Sequence, residues 1–370
     1  MLGAQRRLLQ QSRERCPDAA LTVGIPRSMY TFDRLPFWAT FFAGLGLRPV
    51  LSRESDKQIR EAGVDMSVAE PCFPIRVAHG HVEALIEEGV DFIFVPNVLN
   101  EETEVPEVNS HACPWGQTLP FVIRAAPQLE HYHDRFLTPR VRFREGLDGL
   151  LRDLRPLAED LGASQKQLRS ALLQATAAQQ EFRDRLLDAG ATAVARLEAA
   201  GELGIVVIGR PYNMYDKGIN MDILRKLRRF YGVNVIPMDF LPLSGIEVRD
   251  IVPNMYWNYG RKILQVARYV GARDNLHIIY LNNFKCGPDS YIKPYIKQAS
   301  GRPFLSLQFD EHQNDAGAMT RCEAYLDSKG FLRWWSHQDD GEPVTGPAIV
   351  DGDQRPAGEL AGSAIQDVSA

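Results

Sequence analysis

Cysteine is the residue of this chain best placed to do chemistry. Five occur, far apart along 370 residues. Three share their surroundings: Cys72 in "EPCFP", Cys113 in "HACPWG" and Cys286 in "NFKCGPD" each stand beside proline or glycine, just ahead of a helical pattern. A thiol at a helix N-terminus meets the positive end of the helix dipole and unpaired backbone N–H groups, which favour thiolate, the metal-binding form. The spacing is too wide for a zinc knuckle or ribbon, which needs cysteines paired about two to four residues apart. Three thiolates suit an iron–sulfur cluster with one iron left open, and four would close it. Gly287 would let the backbone approach such a cluster and aim N–H donors at sulfur. Taken singly, each cysteine has the alternative of a small buried hydrophobe, and it is the shared position of three that favours a shared site. Cys16, in a polar arm, and Cys322, in mid-helix, read as structural.

Other polar groups gather near the same turns. His79 follows Cys72 by seven residues, two helical turns along one face, and is expected beside the cysteines, whereas His81 faces elsewhere. "DEHQNDAG" concentrates Asp310, Glu311 and His312 before a helix, where they would relay protons or bind a metal in a near-cluster position; the alternative is that Asp315 caps the helix and acids favour its first turn. In "GRPYNMYDKGIN", Arg210 and the backbone at Gly218 form a candidate anion site for coenzyme A phosphates or an acidic partner, against the alternative that Arg210 and Asp216 pair with each other or cap the helix. This string is not a GxGxxG fingerprint, so a nicotinamide cofactor is not expected. Tyr256, Trp257 and Tyr259 read as core or lobe interface. A competing zinc reading would need His79 or His111 as a fourth ligand.

These residues must be positioned by alternating strands and helices. "LTVGI", "RPVLS", "MSVAE" and "DFIFVP" alternate with helical patterns at about 34–46, 57–62 and 74–88, and a second alternation runs through "GIVVIG", "NVIPM", "LHIIYLN" and "PFLSLQF". Such alternation implies parallel sheets with crossover helices. Ligands bind beyond the carboxyl ends of strands in such sheets, the place assigned to the three cysteines. The expected architecture is α/β, with two Rossmann-like, three-layer lobes joined by a helical connector. A polar arm covers 1–19, the first lobe 20–137, the Leu- and Ala-rich connector 138–202, the second lobe 203–337 and a disordered tail 338–370.

Composition narrows the function classes. A net charge of −5 and a pI near 6.0 leave no global basic field for nucleic acid or anionic membrane. No apolar run is long enough to span a bilayer and no secretory signal opens the chain, so a cytoplasmic location is expected. An odd number of widely spaced cysteines in that reducing compartment is expected to stay as thiols.

The strings "VGIPRSMYTFDRLPFWATFFAGLG", "EPCFPIRVAHGHVEALIEEGVDFIFVP", "GRPYNMYDKGIN", "NFKCGPDSYI" and "DEHQNDAGAMTRCEAYLDS" resemble the acyl-CoA dehydratase activase-related proteins, over about residues 20–330. That family is similar to subunits of 2-hydroxyacyl-CoA dehydratases. The resemblance implies a two-lobed fold holding a [4Fe–4S] cluster on Cys72, Cys113 and Cys286. It also implies low-potential, ATPase-coupled electron transfer, or dehydratase-like radical chemistry that removes water from a 2-hydroxyacyl-CoA. The chain has no GxxxxGK[ST] phosphate loop, so the activase-type ATPase partner is expected on a separate chain, with acyl-CoA as the substrate class. A non-catalytic scaffold or regulatory subunit for that ATPase is the alternative.

Overall fold

The computed structural model describes residues 21–312 and 314–332. The arm with Cys16 and the tail from 338 lie outside the described residues. The first lobe is built on four parallel strands, β1 (Thr22–Ile25), β2 (Arg48–Leu51), β3 (Phe92–Phe94) and β5 (Phe136–Leu137), in the order β2-β1-β3-β5. A parallel pair, β4 (Asn97–Asn100) with β6 (Arg140–Arg142), stands beside it. The second lobe repeats the arrangement with β7 (Gly204–Gly209), β8 (Asn234–Pro237), β9 (Leu276–Asn283) and β10 (Leu305–Phe309), ordered β10-β9-β7-β8. In both lobes the first strand lies between the second and the third, so each sheet has a switch point where successive crossovers diverge, the place where open α/β sheets bind ligands. The Rossmann-like two-lobed expectation therefore holds. The shared strand order is a likeness at the level of topology.

Local chemistry explains the elements. "GIVVIG" is buried at all six positions, as a β-branched strand covered on both faces should be. The helix α1 (Thr31–Gly44) is almost wholly buried, and Trp38 packs on Phe94 of β3 with ring centroids 4.5 Å apart. Helices α2 (Lys57–Met66) and α3 (Phe73–Glu87) follow β2. Helix α4 (Pro114–Arg124) follows β4, and α5 (Gly146–Asp160) and α6 (Gln165–Ala200) form the connector. Ser164 and Gln167 make a capping box at the start of the 36-residue α6, and Gly201 closes it at φ 65°. Leu168, Leu172 and Ala175 at its front belong to the first core, while Val194 and Leu197 at its end belong to the second. The connector is a strut embedded in both lobes.

Two expected elements differ. "MSVAE" is not a strand: α2 continues to Met66, and residues 67–71 form an irregular surface turn that pairs with no sheet. The expected helix "INMDILRKLRRFYG" is broken, because Met221 and Asp222 turn left-handed at φ 55° and 57°. Its first two residues end the single turn α8 (Lys217–Asn220), which follows another, α7 (Pro211–Tyr215), and the remainder forms α9 (Ile223–Tyr231).

Two glycines let α2 and α3 touch backbone to backbone. A Cβ on Gly80 would stand 1.9 Å from the carbonyl oxygen of Ile59, and one on Gly63 would stand 2.3 Å from that of Arg76. Because main chain rather than a side-chain tip is struck, Gly80→Ala is expected to cost at least the upper end of the usual 1–3 kcal/mol of overpacking, roughly 3 kcal/mol or more. Chemical denaturation of the variant measures this, and an unchanged midpoint would mean that the helices are not in contact there.

Candidate functional site

All three cysteines are helix N-caps. Cys72 caps α3, Cys113 caps α4, and Cys286 caps α11 (Gly287–Ser300), each with proline at the first or second helical position. Proline suits those positions because its missing N–H is unused there and its fixed φ is already helical. Cys286 follows β9 directly, beyond Lys285, which holds the left-handed φ of 61° without being glycine. Cys72 follows a helix, and Cys113 is reached only after the long 101–112 loop, so one of the three stands immediately beyond a strand.

The three thiols lie together in the seam between the lobes. Cys72 is within electrostatic reach of Cys113, Cys286 of Cys72, and Tyr212 of all three. Each is under 8% exposed. At the centre is Arg210, just beyond β7, 1% exposed and bonded through Nε to Asp289 Oδ1 at 2.9 Å. Asp289 is in the first turn of α11, so the pair spans the β7–β9 switch point of the second lobe. From the first lobe, the turn after β1 brings Tyr30 against Cys113: a Cβ on Gly116 would meet Tyr30 Oη at 2.0 Å and Cys113 Sγ at 3.2 Å. Glycine is thus required at 116, and its N–H donates to Cys113 Sγ at 3.3 Å.

Burial, not the helix dipole, dominates the thiols. Burial, with Cys113 as neighbour, pushes the Cys72 thiol up to about 12, and burial also raises Cys113 and, together with Asp289, Cys286. The expectation of lowered thiol pKa values is corrected on this point, since desolvation of a charge outweighs a terminal dipole when water is excluded. Burial opposes the charge on Arg210 too, but Asp289, Tyr212 and the thiols keep it protonated. A bound metal reverses the balance for the sulfurs, because coordination deprotonates a thiol outright.

Three thiols meet here, the number of protein ligands that suits an iron–sulfur cluster with one iron left open. Further signs of a polar group at the site are two buried atoms with no partner, Tyr30 Oη and Arg210 Nη2. A Cβ at Gly287 would meet nothing within 4 Å, which leaves room beside Cys286.

The other expected residues divide. His79 is a buried helix-tying histidine: Nδ1 donates to the Ile75 carbonyl at 2.9 Å and Nε2 faces that of Val122 at 3.4 Å, joining α3 to α4. Both of its ring nitrogens are thus engaged by main chain. His111 stacks on Tyr256, with centroids 4.4 Å apart. Glu311 reaches Arg76 of α3 at 2.7 Å, and Asp310 accepts from the N–H of exposed His312 at 2.9 Å, so this trio forms the outer edge of the lobe seam. Asn314, not Asp315, caps α12 (Asp315–Ser328), and Asp315 pairs with Lys226. Arg210 pairs with Asp289 rather than Asp216, and the Gly218 N–H is taken by Asp216 Oδ1 at 2.8 Å; the two expected anion-binding groups are thus engaged by different carboxylates. Cys322 is a core residue of the second lobe.

His81, expected to face elsewhere, is fully buried in a polar chain. Its ring nitrogens meet Ser52 Oγ at 3.0 Å and Ser55 Oγ at 2.8 Å, and Ser55 donates to Asp216 Oδ2 at 2.6 Å across the lobes. Burial raises Asp216 to about 6 from its usual 3.8, against the lowering effect of Ser55. A folded pKa above the unfolded one gives stability that is fully present below about pH 4 and is lost as pH rises through 6. Between pH 4 and 7 the wild type should lose on the order of 2–3 kcal/mol relative to Asp216→Asn. Parallel pH profiles of unfolding free energy for the two proteins would assign the effect to another group.

The sequence pattern does not mark Tyr30, Tyr212 or Asp289, although Tyr212 lies two residues from Arg210 and Asp289 three from Cys286. The available signal was the acid in the first turn after "CGP" and the tyrosine after "GRP", both at strand ends.

The family model for the CoA enzyme activase uncharacterised domain matches residues 22–241. No curated protein matches the chain. Among solved structures, a crystal structure of ZnuA is 10% identical, over 82% of this chain and 96% of that one, with a TM-score of 0.24. No helix among the described residues is long and apolar enough to cross a membrane.

Proposed function

Because this chain belongs to the family of the CoA enzyme activase uncharacterised domain, we propose that it is an iron–sulfur redox protein of the 2-hydroxyacyl-CoA dehydratase and activase type, holding a [4Fe–4S] cluster on Cys72, Cys113 and Cys286. The observation that carries this reading is the meeting of three helix-capping cysteines, from both lobes, around one buried arginine. The cluster would supply one-electron transfer at low potential, with one iron free of protein ligand. Arg210 sets a positive charge beside the sulfurs and keeps a buried Nη2 without a partner, Gly116 donates its N–H to Cys113, and Tyr30 and Tyr212 close the site against water. The electron would come from an activase-type ATPase on a separate chain, in the reducing cytoplasm, and an acyl-CoA is the substrate class of that system.

Anaerobic preparation, followed by iron and sulfide analysis and electron paramagnetic resonance after reduction, tests the proposal. Brown protein with about four irons per chain and a reduced-cluster signal is expected. Colourless, iron-free protein after anaerobic reconstitution rejects it.

A further inference from the structure

Behind the cysteines, on the first-lobe side of the seam, lies a second buried polar cluster. Asp33 of α1 accepts from Tyr259 of α10 (Asn258–Gly271) at 2.5 Å, leaving Oδ1 without a partner. Glu101, 2% exposed, receives both Arg34 bonds on Oε2, leaving Oε1 buried and bare. Glu102 bridges Arg34 and Arg183 of α6 and is held down to about 2, so it stays ionised. Lys262 of α10 faces Asp33, Glu101 and Asp239, the last of which accepts from Tyr215 of α7 at 3.2 Å. The count is uneven: Arg34, Arg183 and Lys262 give three positive charges against Asp33, Glu101, Glu102 and Asp239, four carboxylates. One carboxylate is uncompensated in a place where an unpaired charge is expensive.

Tyr30 connects this cluster to the site. Its unpartnered hydroxyl lies within electrostatic reach of Cys113 and Arg210 on one side and of Glu101 and Asp33 on the other. We propose that Asp33 and Glu101 form a buried proton-acceptor pair that takes up one proton when the cysteine centre is reduced, with Tyr30 set between the pair and the centre. One electron enters the centre from a one-electron reductant, and one proton from solvent bonds to a bare oxygen, Asp33 Oδ1 or Glu101 Oε1; no other bond changes. Half-exposed Glu102 and Arg183 mark the side from which solvent reaches the pair. Burial already raises both carboxyls, and added negative charge at the centre raises them further. The redox half of this inference rests on the cluster reading, while the proton half rests on these carboxylates alone.

Two measurements test it. In iron-loaded protein, the midpoint potential should fall by about 59 mV for each tenfold drop in proton concentration over part of the range between about pH 5 and 9. The slope should vanish in Asp33→Asn, whose amide oxygen still accepts from Tyr259, and in Glu101→Gln. A flat wild-type potential, or an undiminished slope in both variants, overturns the proposal. In the iron-free chain, infrared spectra should show a protonated carboxyl band that titrates above the ordinary carboxylate range and is lost in Asp33→Asn; its absence overturns the proton half. A chain that takes up no iron rejects the cluster reading and the coupling with it, and the infrared band still decides whether the pair binds a proton.

Discussion

Cys286→Ser, prepared anaerobically, should hold less than about one iron per chain where the wild type holds about four. Serine is a hard, weakly acidic donor and replaces a thiolate poorly at iron. The same change should barely disturb the fold, since Cys286 is an N-cap and serine is among the best residues there, so the iron-free variant should unfold within about 1 kcal/mol of the wild type. The loss of iron would then be a loss of ligand and not of structure. Cys322→Ser is the matching control: it lies in the second core, should keep full iron, and should instead lose stability by burying a hydroxyl. Wild-type iron content in Cys286→Ser would remove this cysteine from the site. Iron loss in both variants would point to general unfolding.

Arg210→Met should be the most destabilising side-chain change in the seam. The arginine and Asp289 are each about 2% exposed, so removing the cation leaves a carboxylate buried with no counter-charge. Breaking such a pair from one side costs about 3–5 kcal/mol, whereas replacing both partners with apolar residues is often neutral. Arg210→Met with Asp289→Leu should therefore recover most of the loss, a result read by denaturant unfolding of the iron-free chain. Both the single and the double variant should load iron poorly, because Arg210 is the positive charge that favours ionised Cys72 and Cys113. A single variant as stable as the wild type would mean that Asp289 is neutral or finds water. A double variant that loads iron normally would show that the guanidinium does not support the thiolates.

Much of the architecture could be read before folding. Strand "GIVVIG" and helix 287–300 are recognisable because burial on two faces and capping by Cys-Gly-Pro depend on residues within one or two turns. "MSVAE" misled for the same reason: alternation over five residues says nothing about whether a neighbouring strand exists to pair with. His79 is on the same side of its helix as Cys72, yet the carbonyl of Val122, 43 residues away, claims the ring.

The sequence by itself determined that strands and helices alternate in two sets and that three cysteines stand just ahead of helices with proline in their first two positions, because periodicity and capping are short-range properties of neighbouring residues. Tertiary structure alone decided that the three thiols share a seam, that Arg210 pairs with Asp289, 79 residues away, instead of nearby Asp216, and that burial raises the thiol pKa values where the helix ends would lower them. Those outcomes depend on which charges come together and how much water is left around them, and that follows only from the packing of one lobe against the other.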